Sequence, residues 1–133
     1  MLRYVGVYLI VFITMLVLDM VWLRGVATAW YQQGLGHLMA PKPDLFAAGI
    51  FYLMYPLGLV IFAVLPNADS SLLKTTAMGA LFGLFAYATY DLSNLATLRD
   101  WPLNVSLMDM AWGTFASGMS VAAGRLFLDA VRQ

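Results

Sequence analysis

The chain has 133 residues, of which 62% are hydrophobic and only 11% are charged. Because a soluble domain carries about 25% charged residues, this chain has too few polar side chains to cover a soluble fold of its size. A net charge of zero removes any electrostatic argument for nucleic acid binding, and the absence of cysteine excludes disulfides and thiolate metal sites. The composition therefore predicts an integral membrane protein embedded in the lipid bilayer.

Four apolar segments of the sequence are long enough to cross a hydrocarbon core about 30 Å thick. They cover about residues 4–23, 46–65, 72–98 and 103–123. No segment shows the sustained alternation of polar and apolar residues that membrane strands require. We therefore predict one all-α domain over residues 1–133, an integral membrane bundle of four transmembrane helices.

The connections between the segments predict how the helices are arranged. Four spans place both termini on the same side, and that side collects four of the seven basic residues, which favours cytoplasmic termini. So small a bias also allows insertion in both orientations, as in a dual-topology homodimer. No helix breaker stands between Leu23 and Gln33, so we expect the first helix to run on into the interface and the rest of the 24–45 connection to be loop.

Three of the seven aspartates fall inside the predicted spans, at Asp19, Asp91 and Asp109, and the chain has no glutamate. An ionisable side chain at mid-membrane costs at least about 2.5–3.5 kcal/mol and is a functional candidate by default. At a rise of 1.5 Å per residue, all three lie roughly 6–10 Å from the membrane edge on the side away from the termini. We predict that they occupy one layer of the bilayer and are the catalytic or proton-carrying residues.

Aromatic and amide side chains from the spans fall in the same layer and are the predicted ligand-binding residues. The second and third spans supply tyrosines and an asparagine, and two Asp-x-x-Trp sequences in the first and fourth spans place a tryptophan one turn from an aspartate. These residues are Asn94, Tyr52, Tyr55, Tyr90, Trp22 and Trp112. With a single histidine and no thiolate, we predict no metal and no cofactor.

A run of residues in the third and fourth spans resembles a known family. Residues 90–97 (YDLSNLAT), the pair Trp101-Pro102 and residues 109–113 (DMAWG) are similar to a family of small bacterial proteins, domain of unknown function 2177. Ser93 stands where we expect threonine. The resemblance implies a multi-pass protein of the bacterial inner membrane with four helices, and it implies no activity.

Several functions fit these residues, and the residues leave open whether the protein is an enzyme. The first and favoured function is a pocket that binds or transforms a small amphipathic or lipid-soluble molecule delivered by the bilayer. The second is a small proton-coupled transporter whose aspartates load and release protons. The third is a non-catalytic subunit whose polar layer holds helices together, and the fourth is a hard-cation site of three carboxylates and Asn94.

Overall fold

Five α-helices account for most of the chain in the computed structural model, which describes residues 1–133. They are α1 (Leu2–Val21), α2 (Thr28–Leu35), α3 (Leu45–Leu59), α4 (Leu72–Thr97) and α5 (Leu103–Arg132). A π-helical turn, Trp22–Val26, continues α1, and a second one, Val60–Val64, continues α3 as far as a 3-10 turn at Leu65–Asn67. The all-α prediction is confirmed.

Three helical segments are long and apolar enough to cross a membrane by length and composition. They are Leu2–Val26, Leu45–Asn67 and Leu72–Thr97, consistent with a multi-pass membrane protein. The longest helix, α5, has 30 residues but is not among these three. Its hydropathy is lowered by small and polar residues, and many of these are buried inside the protein: Ser106, Gly113, Ser117, Ser120, Gly124 and Arg125.

The small residues of α5 let this helix pack closely against α1 and α4 at the centre of the bundle. A Cβ atom added to Gly83 of α4 would lie 2.5 Å from the carbonyl oxygen of Gly113, so the two backbones are nearly in contact there. Lipid provides no hydrophobic drive between helices, and close backbone packing of this kind stabilises membrane bundles instead. Apolar side chains from α1, α3 and α5 complete the core, including Val11, Met15, Leu59, Val121 and Leu128.

The connection between the first two spans differs from the expectation of a continuous first helix followed by a loop. The π-helical turn ends in a bond from the amide of Ala27 to the carbonyl of Trp22, 2.8 Å long, and Ala27 has φ −105°. The chain then starts a separate helix, α2, which packs on the start of α5 through Gly34 and Val105. Residues 39–44, between the 3-10 turn at Gly36–Leu38 and α3, are non-helical as expected.

The other end of the bundle is held by Arg125, whose residue surface is only 8% exposed. Its guanidinium donates to the carbonyl oxygen of Asn67 at 2.9 Å, to that of Ser71 at 3.4 Å and to the hydroxyl of Thr75 at 2.7 Å. It also donates to Asp129, and this hydrogen bond holds the pKa of Asp129 below its ordinary value. These bonds join α5 to the turn between α3 and α4. The helix α5 continues to Arg132, beyond the predicted end of the fourth span near residue 123.

Candidate functional site

A cavity of about 760 Å³ lies where α1 and α4 end and α3 and α5 begin. Nineteen residues line it, and none of them is lysine, arginine or histidine. All five helices contribute to its walls, with α2 lying over the end of the bundle. The lining includes eight of the nine predicted site residues, which are Asp19, Asp91, Asp109, Tyr52, Tyr55, Tyr90, Trp22 and Trp112.

The ninth residue, Asn94, is not part of the cavity lining. It lies on α4 three residues beyond Asp91, half-buried, and its carbonyl accepts the amide of Leu98 where the helix ends. A rise of 1.5 Å per residue carries Asn94 about 4.5 Å further along the helix axis than Asp91. The side chain of Asn94 therefore lies near the end of α4, outside the cavity.

Asp19 connects three helices through its carboxylate. The hydroxyl of Tyr52 on α3 donates to Oδ2 at 2.8 Å, and the indole Nε1 of Trp112 on α5 donates to Oδ1 at 2.9 Å. Asp19 itself is on α1 and is 6% exposed. Because each of its oxygens already accepts a bond from the protein, this carboxylate is a fixed part of the wall.

Asp109 accepts the last of two linked hydrogen bonds that begin in the π-helical turn after α1. The indole Nε1 of Trp22 donates to the hydroxyl of Tyr31 at 3.2 Å, and this hydroxyl donates to Oδ1 of Asp109 at 2.8 Å. The rings of Trp22 and Trp112 stack with centroids 4.5 Å apart and planes 5° from parallel. Each tryptophan of the two Asp-x-x-Trp sequences is therefore linked to the aspartate of the other sequence. Trp112 donates to Asp19 directly, and Trp22 is linked to Asp109 through Tyr31.

Tyr31 is a site residue that the sequence analysis placed only in the connection. Burial raises the pKa of its hydroxyl, the bond from Trp22 opposes this shift, and the neighbouring charges of Asp109 and Asp91 raise the pKa further. Tyr31 is therefore held as a neutral hydrogen-bond donor. The only signal in the sequence is its aromatic neighbour Trp30, which is typical of the membrane interface and does not indicate a site.

Asp91 differs from the other two aspartates because neither of its carboxylate oxygens has a hydrogen-bond partner. The residue is fully buried, at 0% exposure, and lines the cavity. Ser106 donates to its backbone carbonyl, not to its carboxylate. The carboxyl of Asp109 lies within hydrogen-bonding reach of it, but two ionised carboxylates have no donor, so a bond between them needs a proton on one of the two. Buried polar groups are nearly always bonded, so this carboxylate is the exception that needs a functional explanation.

Aromatic rings form most of the remaining wall. Tyr55 packs against Tyr87 with ring centroids 6.0 Å apart, and its hydroxyl shares a 2.6 Å hydrogen bond with Ser117. Tyr90 packs edge-on against Trp101 at 5.8 Å. Four aromatic lining residues were not among the predicted site residues: Tyr31, Phe51, Tyr87 and Trp101. On α4, the spacing of Tyr87, Tyr90 and Asp91 at i, i+3 and i+4 is the signal that could have identified Tyr87.

The arrangement of side chains in the cavity suits the binding of an organic molecule better than the coordination of a metal ion. No three carboxylate or histidine groups lie close enough together to hold a metal. The carboxylate of Asp19 is occupied by Tyr52 and Trp112, and Asn94 lies outside the cavity. The cavity has mostly aromatic walls, and the unpaired carboxylate of Asp91 is buried directly beneath its lining.

Comparison with known proteins identifies the family of this chain. A family model described as "Predicted membrane protein (DUF2177)" matches residues 4–126, nearly the whole chain, and confirms the resemblance seen in the sequence. No curated protein and no solved structure matches the chain. By this match the chain belongs to the DUF2177 family of predicted membrane proteins.

Proposed function

We propose that this protein binds a small amphipathic or lipid-soluble molecule in the cavity between its helices. The observation that carries the proposal is the carboxylate of Asp91, which is buried against the cavity with no partner in the protein. A buried acceptor left unpaired costs about 1–3 kcal/mol, and more when it is charged. A ligand that donates to Asp91 removes this cost. Both oxygens are covered by protein, so the ligand reaches them from the cavity when a neighbouring side chain of the lining moves aside.

The other polar groups of the cavity support binding by holding the walls in place. Asp19 and Asp109 are each fixed by donors on other helices, so they shape the site. The lining is 14 hydrophobic residues out of 19, a composition typical of sites for small organic molecules. The outer faces of the helices are apolar, as expected of helices in contact with lipid, so we propose the bilayer as the source of this molecule.

Filling the cavity tests this proposal. Ala86 lines the cavity on α4, whereas Ala77 is exposed on the same helix more than two turns away. Ala86→Phe and Ala77→Phe add the same side chain, one inside the cavity and one outside. We expect mass spectrometry of material extracted with the purified protein to show a molecule retained by the wild type and by Ala77→Phe and lost from Ala86→Phe. Equal extracts from all three proteins would contradict the proposal.

We also propose that α5 is a fourth span and that both termini lie on one side, in the inner membrane of a bacterium. Its length of 30 residues is sufficient, and its position between α1 and α4 supports membrane embedding. Single cysteines at His37 and Gln133, labelled by an impermeant reagent in intact cells, test this arrangement. Four spans predict that only one of the two positions is labelled. Labelling of both from the same side would exclude it.

A further inference from the structure

We infer that the molecule bound in the cavity carries a primary ammonium group on a lipophilic body, with the ammonium bound by Asp91. The inference rests on the proposed function and narrows it to one class of ligand. It follows from the number of free acceptors in the cavity, from the sign of its charge and from the rings that surround it.

The charge of the cavity excludes an anionic ligand. Three carboxyl groups line it and no cationic side chain does. Arg24 and Arg99 follow the cavity-lining ends of α1 and α4, but neither forms a salt bridge with Asp19, Asp91 or Asp109. A cation entering the cavity meets opposite charge that no protein group neutralises, and a carboxylate or phosphate ligand meets like charge.

The two free oxygens of Asp91 select the kind of cation. Each can accept a hydrogen bond, and neither receives one from the protein. A primary ammonium has three N–H donors and can bond both oxygens together, whereas a hydroxyl has one donor and a quaternary ammonium has none. Hydrogen bonds between ionised partners are also shorter and stronger than neutral ones, so a primary ammonium matches Asp91 better than a hydroxyl or a quaternary ammonium does.

The aromatic walls suit both parts of such a ligand. Nine aromatic side chains line the cavity, and the faces of tyrosine and tryptophan rings attract cations through the ring quadrupole. Tyr90 and Tyr87 lie on α4 within one turn of Asp91, close to the position of the ammonium. The remaining rings provide apolar surface for a hydrocarbon or aromatic body.

Two sources could supply this chemistry: the ethanolamine headgroup of a bilayer lipid and a free amphipathic amine. Both present a primary ammonium beside apolar chains. Bilayers of phosphatidylcholine separate them, because its headgroup is quaternary and lacks the N–H donors that Asp91 requires.

The test is a binding titration of the full chain in phosphatidylcholine nanodiscs, followed by tryptophan fluorescence with empty discs subtracted. Four probes share a ten-carbon chain: decylammonium, decyltrimethylammonium, decanol and decanoate. We expect decylammonium to bind at least about tenfold more tightly than the other three, the factor for one charge-assisted hydrogen bond. In discs containing phosphatidylethanolamine, a weaker apparent affinity for decylammonium would identify the headgroup as the occupant, and an unchanged affinity would identify a free amine.

Two matched variants assign the effect to Asp91. Asp91→Asn keeps the shape of the side chain but removes its charge, and we expect decylammonium to bind at least about tenfold more weakly while decanol is unaffected. Asp69→Asn makes the same change at an exposed position on the opposite end of the bundle, and we expect no effect. The ranking of the four probes on the wild-type protein needs no variant, so it decides the question even if Asp91→Asn fails to fold.

The possible results separate the inference from the proposed function. Binding of decanol or decanoate as tightly as decylammonium, or an Asp91→Asn variant that binds decylammonium normally, would overturn the ammonium inference and leave a cavity that binds lipophilic molecules. Binding of none of the four probes would contradict the proposed function itself.

Discussion

The indole rings of Trp22 and Trp112 stack face to face, 4.5 Å between centroids, at the centre of the polar layer. One ring belongs to α1 and its π-helical turn and the other to α5. Trp112 donates to Asp19, and Trp22 reaches Asp109 through the hydroxyl of Tyr31. Each ring of the stack is thus bonded, directly or through Tyr31, to an aspartate on the other helix. Together the stack and these hydrogen bonds hold the end of α1 against α5.

The stacking predicts energetic coupling between the two tryptophans. We expect Trp22→Leu and Trp112→Leu each to lower the free energy of unfolding, and the double variant to lose about 0.5–1.5 kcal/mol less than the sum of the two, because either single change already removes the ring pair. Unfolding of the purified protein by a denaturing detergent measures all three changes. Strictly additive losses would show that the rings are adjacent without stabilising each other.

Tyr31 is expected to attach α2 to the bundle. Tyr31→Phe keeps the ring and removes the hydroxyl that links Trp22 to Asp109, at a cost of about 1–3 kcal/mol for the orphaned partners. We expect hydrogen exchange to become faster in residues 28–35 and to stay unchanged in α1. Tyr4→Phe, at an exposed position near the start of α1, is the matched control. Unchanged exchange in α2 would show that other contacts hold it.

The close approach of α4 and α5 predicts opposite effects of alanine at two glycines. A Cβ atom at Gly83 would lie 2.5 Å from the carbonyl oxygen of Gly113, which only a shift of a helix can relieve. We expect Gly83→Ala to lower the free energy of unfolding by about 1–3 kcal/mol. Gly49 in α3 has open space around it, so Gly49→Ala should raise stability by about 0.5–1 kcal/mol through helix propensity. A Gly83→Ala variant as stable as the wild type would disprove the close contact.

The bonds of Arg125 predict that lysine cannot replace it. A lysine ammonium cannot bond Asn67, Thr75 and Asp129 together as the guanidinium does, so we expect Arg125→Lys to cost about 2–3 kcal/mol. Arg132→Lys alters an ion pair with a highly exposed partner and should cost less than about 1 kcal/mol. Thermal unfolding of both variants measures the difference. Equal costs would show that Arg125 contributes only its charge.

The common level of Asp19, Asp91 and Asp109 along the helices could be predicted from the sequence, and their hydrogen bonds could not. Asp19, Asp91 and Asp109 are the only ionisable acids within apolar segments, and a constant helical rise gives their depth by counting. The spacing of Asp109 and Trp112 places both on one helix face but does not show that Trp112 bonds the aspartate of another helix. That partner is set by how the helices pack, which no local spacing encodes.

Two further differences have the same physical origin. The break at Ala27 follows a π-helical turn that contains Gly25, and an isolated glycine is tolerated inside an α-helix, so the sequence does not mark the break decisively. The hydropathy of α5 is low because its small and polar residues face the other helices, which length alone did not reveal. Tertiary contacts decide both features, and they position Tyr31 over the cavity.

An experimental structure of the protein extracted from its native membrane tests the central claim most directly. The account predicts density for a molecule in the cavity, with a donor atom about 2.7–3.2 Å from the carboxylate oxygens of Asp91 and an apolar body between the aromatic walls. A cavity filled by the protein's own side chains, with Asp91 accepting a hydrogen bond from one of them, would contradict it.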